Sequence, residues 1–194
     1  MDRTSARTKI VAATAVAATA LLGAAPAFAD TAVSTVSGGA LSVTTQGATL
    51  SGVTLNGSTQ TATGTATSAW SISDARGTGA AWTVAVTATA PTSPAGTVET
   101  TPRTLAVGNL SMSAGTVTPG TGADPITNIT AVSGLVMTGS SQTLVSSTGT
   151  NKGTYALTPT FSLTVPANAY RSNYTTGTTG ALNPYSSTLT YTIA

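Results

Sequence analysis

The chain has 194 residues, enough for one domain with its own core, and only 6% of them are charged. Cysteine and histidine are both missing, which excludes disulfide cross-links, Ser-His and Cys-His nucleophile pairs and the commonest zinc ligands. Beyond residue 29 the bases Arg76, Arg103, Lys152 and Arg171 balance the acids Asp30, Asp74, Glu99 and Asp124, so the composition predicts no nucleic-acid partner and no anionic membrane surface.

Residues 1–29 read as a signal peptide. Arg3, Arg7 and Lys9 precede an apolar, Ala-rich run from Ile10 to Leu22, and Ala27-Phe28-Ala29 offers a cleavage site before Asp30. The apolar run falls short of the ~20 residues that span a bilayer. The expected product is one secreted domain, residues 30–194. It carries neither a lipid-modified cysteine nor a sorting tail, so retention on a cell is expected to be non-covalent.

Apolar and polar residues then alternate with a period of two, as half-buried strands require. Leu41 and Val43, then Leu50, Val53 and Leu55, predict weak strands, with a hairpin turn at Asn56-Gly57. Residues 58–67 read as an exposed strand or a linker. Trp70 and Ile72, then Trp82, Val84 and Val86, flank Asp74-Ala75-Arg76-Gly77-Thr78-Gly79, which predicts a β-hairpin that nucleates the core. The prolines from Pro91 to Pro102 predict a loop. Leu105 to Met112, Ile126 to Met137 and Leu144-Val145 predict further short strands. Tyr155 to Val165 alternates, with an interruption at Pro159. A polar Thr/Gly-rich loop covers 171–184, and Leu189, Tyr191 and Ile193 mark a closing strand.

No segment after Asp30 repeats its apolar residues at a helical period. The fold expected is all-β, an antiparallel sandwich or Greek-key barrel.

No catalytic constellation, cofactor motif or metal-ligand spacing stands out, and the acids are isolated in sequence. Asp74 and Arg76 are expected to shape a turn, the alternative being a hydrogen-bonding pair for a polar ligand. Trp82 and Tyr191, in strict alternation with other apolar residues, are expected in the core. Tyr170, Tyr174 and Tyr185 flank or lie within a polar loop, where packing explains an aromatic less readily. They are the expected place for sugar stacking.

Asp74 to Val86, with Trp82-Thr83-Val84, resembles the first Trp-x-Leu motif of the WxL-domain family of bacterial surface proteins. Leu189-Thr190-Tyr191-Thr192-Ile193 resembles the second motif, Phe161 to Tyr170 the strand and Val-Pro turn leading to it, and Gly38 to Val43 the domain's start. Val84 stands where the family has Leu, Tyr191 for Trp and Ile193 for Leu. The motif positions are thus Trp70, Trp82, Val84, Tyr191 and Ile193. The resemblance implies a secreted, non-catalytic, all-β module, and the residue types present lead to the expectation of no cofactor and no metal. The module so implied would bind the Gram-positive cell wall, with peptidoglycan as the expected polymer, alongside a possible companion surface protein. The alternative expectation is a structural subunit or adhesin that binds such a companion or assembles with itself.

Overall fold

Thr, Val and Ile at alternating positions fold as the period of two requires. The computed structural model describes residues 33–194, so the expected signal peptide, residues 1–29, lies outside the described residues. The chain divides into Met1–Thr35 and Val36–Ala194, and every described strand lies in the second unit. In chain order these strands are β1 (Leu41–Thr44), β2 (Gln60–Thr65), β3 (Trp70–Asp74), β4 (Trp82–Ala88), β5 (Thr92–Ser93), β6 (Arg103–Thr104), β7 (Leu110–Ser113), β8 (Thr118–Pro119), β9 (Ile129–Ala131), β10 (Leu135–Val136), β11 (Gln142–Ser147), β12 (Gly153–Leu157), β13 (Thr160–Val165) and β14 (Leu189–Ile193). Two short 3-10 turns, Val107–Asn109 and Ile126–Asn128, complete the regular structure, and no α-helix occurs among the described residues.

The unit is an all-β, antiparallel, sandwich-like domain. Three four-stranded sheets run in the orders β1-β3-β12-β8, β10-β7-β13-β2 and β14-β4-β11-β9, and β5 pairs with β6. The first two sheets share continuous ribbons. β2 pairs with β13 and β3 with β12, and the ribbon bends where the Ala66 N–H donates to the Pro159 carbonyl at 2.9 Å. Proline has no N–H to continue a ladder, so the alternation from Tyr155 to Val165 becomes two strands in two sheets.

The expected hairpin from Trp70 to Val86 does not form. β3 and β4 belong to different sheets, and residues 75–81 arch between them. Each strand is central in its own sheet: β3 lies between β1 and β12, β4 between β14 and β11. Both therefore satisfy both backbone edges without each other. The arch lets both apolar faces close on the interior, where Trp70 and Trp82 are each only 1% exposed. Asn56-Gly57 likewise turns the chain, with Gly57 at φ 79°, but the residues from 45 to 55 that lead into it form no strand. Instead the Ser51 N–H reaches the Thr63 carbonyl at 2.8 Å.

The core gathers the inward faces of all three large sheets: Trp70, Ile72, Tyr155 and Leu157; Leu110, Met112, Phe161 and Leu163; Trp82, Val84, Val86, Leu144 and Val145. Leu144 and Val145 are adjacent, yet both are fully buried. A register shift between Thr143 and Val145 against β4 marks a bulge that turns both side chains inward.

Candidate functional site

β4 runs between two loop clusters, and the residues singled out in the sequence divide between them. At its start lies the arch. The Asp74 side chain is fully buried and accepts from the Arg76 backbone N–H at 3.1 Å, the geometry of an Asx turn. The Arg76 guanidinium grips the same carboxylate in a bidentate pair at 2.9 and 2.8 Å, then donates to the Ala80 carbonyl at 2.9 Å. This side-chain pairing holds the Asp74 carboxyl below the usual carboxylate range, against the opposing effect of its burial. The pair's hydrogen bonds all go to each other or to the turn's own backbone, so its observed work is to close the arch.

Trp82 and Val84 point into the core, and the Trp82 indole tilts against Tyr155 at 6.3 Å between ring centres. Next to them the turn 147–153 is tied by buried polar groups. Ser147 Oγ donates to Asn151 Oδ1 at 2.7 Å, and Asn151 Nδ2 donates to the Pro125 carbonyl at 2.7 Å. Thr150 holds a left-handed φ of 67°, costly for a β-branched residue, while its N–H bonds the Gly79 carbonyl of the arch at 2.7 Å.

β14 pairs along β4, with Tyr191 opposite Val86 and Ile193 opposite Val84. The two motif segments are thus neighbours. Tyr191 does not meet the Trp82 indole, however. Its ring stands edge-on to Trp70, 4.6 Å between centres, and desolvation raises its hydroxyl pKa. Tyr191 and Ile193 are half-buried, packed against the core from the sheet edge.

The far end of β4 opens into a second cluster, made by residues 91–103 and 169–187. Here the three loop tyrosines come together. Tyr170 is 65% exposed, and the Arg103 guanidinium lies 4.1 Å from its ring centre. The Tyr185 hydroxyl donates to the Tyr170 carbonyl at 2.9 Å, and burial pushes that hydroxyl's pKa up. The Arg171 guanidinium stacks 4.3 Å from the Tyr174 ring centre and forms a bidentate pair with Glu99. The Arg171 pairing holds the Glu99 carboxyl below its ordinary range, aided by the Tyr174 N–H at 2.9 Å.

The polar loop 171–184 is anchored rather than draped. The Asn173 side chain donates to the Pro94 carbonyl at 3.0 Å and the Thr101 carbonyl at 2.9 Å. Ser93 Oγ receives the Asn173 N–H at 3.0 Å and donates to the Asn183 carbonyl at 2.7 Å. Ser93 and Asn173 are both fully buried. Gly96 permits this docking, because a Cβ there would overlap the Tyr174 carbonyl oxygen. Sequence reading missed Glu99, Arg103, Ser93, Asn173 and Asn183. They lie about 70 to 90 residues from their partners in sequence, and no local pattern reports such pairing.

Val98 and Leu182 on the same loops are also exposed, so this corner combines open apolar surface with an exposed tyrosine ring that stacks on a guanidinium. Elsewhere, a shallow groove of about 510 Å³ crosses β2, β13 and β7. Thr63, Thr65, Ser111, Ser113, Thr160 and Ser162 line it with hydroxyls. The described acids Asp74, Glu99 and Asp124 each pair with a different base, and no three metal-ligating side chains gather among the described residues. No family model matches the chain, and comparison with curated proteins and with solved structures finds no match either.

Proposed function

We propose that this chain is a secreted, non-catalytic surface protein, a divergent relative of the WxL-domain proteins, and that it holds the bacterial cell wall non-covalently through its glycan. The observation that carries the reading is the Tyr170 ring, 65% exposed, with the Arg103 guanidinium over one face and its own main-chain carbonyl held by the Tyr185 hydroxyl. An exposed aromatic ring, backed on one face by a guanidinium and rooted in an anchored backbone beside hydrogen-bonding side chains, suits a sugar ring on its other face. The balance of charge beyond residue 29 favours a neutral polymer over an anionic one. The motif positions Trp82 and Val84 serve the core here, so the reading assigns recognition to the corner and not to them.

A pull-down with purified peptidoglycan tests it. The chain is expected in the pellet, and Tyr170→Ala is expected to leave most of it in the supernatant with the fold unchanged. Wild-type protein that stays in the supernatant at moderate salt ends the reading. A second reading, a structural subunit that assembles with itself or a companion, is favoured by one observation: β14 is a sheet edge without a charged or proline guard.

A further inference from the structure

The two longest edge strands are treated differently. The outer side of β2 is partly covered. The Thr63 N–H donates to Ser51 Oγ at 3.1 Å, the Ser51 N–H to the Thr63 carbonyl at 2.8 Å, and the Thr67 N–H to the Gly47 carbonyl at 3.0 Å. Among the described residues β14 has no such cover. β4 pairs with it on one side, and no described strand pairs with it on the other. β1 passes nearby without hydrogen-bonding to it.

The parity of that open edge is fixed. Thr83 and Ala194 exchange hydrogen bonds at 2.7 and 3.1 Å, and the Thr89 N–H reaches the Thr188 carbonyl at 3.0 Å. The β4 ladder therefore uses the even-numbered residues of β14. Antiparallel alternation turns the N–H and C=O groups of Leu189, Tyr191 and Ile193 outward. These residues lie in Leu-Thr-Tyr-Thr-Ile, which keeps its pattern of residue classes when read backwards. From Tyr185 to Ala194 there is no charged residue and no proline to block pairing.

We propose that the open edge of β14 is a homodimer interface, at which β14 of a second copy adds antiparallel about a two-fold axis through Tyr191. In that register each outward residue meets an outward partner: Tyr191 meets its own copy, and Leu189 meets the second copy's Ile193. Thr190 faces the second copy's Thr192 on the solvent side, a favourable cross-strand pair. The sheet β14-β4-β11-β9 becomes continuous with its copy, and both inner faces stay on one side. The occupant is a second copy because the edge is self-complementary in parity and in side-chain class, as an isologous contact demands. The pairing does not depend on wall binding, since sedimentation and pull-down read the two separately.

Sedimentation equilibrium of the purified chain tests it, and a particle of twice the chain mass is expected. Thr190 and Thr192 are exposed, so substitution there leaves the core intact. Thr190→Lys with Thr192→Lys sets like charges opposite each other at both crossing pairs and is expected to weaken association about tenfold. Thr190→Lys with Thr192→Glu sets opposite charges face to face in this register and is expected to restore it. Near-ultraviolet circular dichroism from the buried tryptophans reports that each variant is folded. A wild-type chain that stays monomeric as concentration rises overturns the proposal. So does a dimer that the double-lysine variant leaves intact, or one that both double variants weaken equally.

Discussion

Two carboxylate–arginine pairs sit at opposite ends of β4, and they do different work. Asp74–Arg76 spans two residues, and its carboxylate is fully buried. Glu99–Arg171 spans 72 residues and stays in contact with water on both sides. The first closes an arch between two sheets, where losing a partner would strand a buried charge. The second pins one surface loop to another, where water can replace either partner. A similar drawing of bonds thus stands for a structural lock at one end and a positional clamp at the other.

The largest break in this contrast comes from the core behind the arch. Trp82→Ala is expected to cost about 3–5 kcal/mol in a urea titration, because a fully buried ring against Tyr155 leaves a cavity. A cost near zero would mean that the arch end is not packed as described. Asp74→Asn comes next, at about 2 kcal/mol, since it leaves buried hydrogen-bonding groups short of their charged partner.

The same carboxyl sharpens the comparison through pH. Its folded pKa lies below its unfolded one, so its contribution is complete above about pH 5 and drains away as pH falls through about 4 and below. The acid limb of a stability–pH profile is expected to flatten in Asp74→Asn. If the wild-type limb is unchanged by that substitution, the arch pair is not the group being titrated. Glu99→Gln is the smallest effect. The unfolding midpoint is expected to hold within error, while proteolytic cleavage between residues 91 and 103 speeds up as the clamp loosens. A clear fall in the midpoint would place the corner among the structural locks.

How much of this was legible beforehand differs between the two ends. At the arch the signal was local. Asp74 and Arg76 two residues apart announced a turn, and Trp82, Val84 and Val86 announced a buried face. What stayed hidden was which sheet each strand would join, because a period of two is the same for a hairpin and for an arch. At the corner the tyrosines drew notice as aromatics in polar sequence. The residues that orient them, Arg103, Glu99, Ser93 and Asn173, carry no signature without the loops folded together.

The order of residues alone fixed the alternation, the turns at glycine and proline, and hence the all-β class. Strand faces follow from local geometry, so the chain carries that information at every position. Tertiary structure decided the partners: the division of β3 from β4, the bulge at Leu144-Val145, the seat of Tyr191 on Trp70 and the gathering of the corner. Those choices depend on which distant backbone groups and apolar faces are satisfied together, a condition that exists only once the whole sandwich has closed.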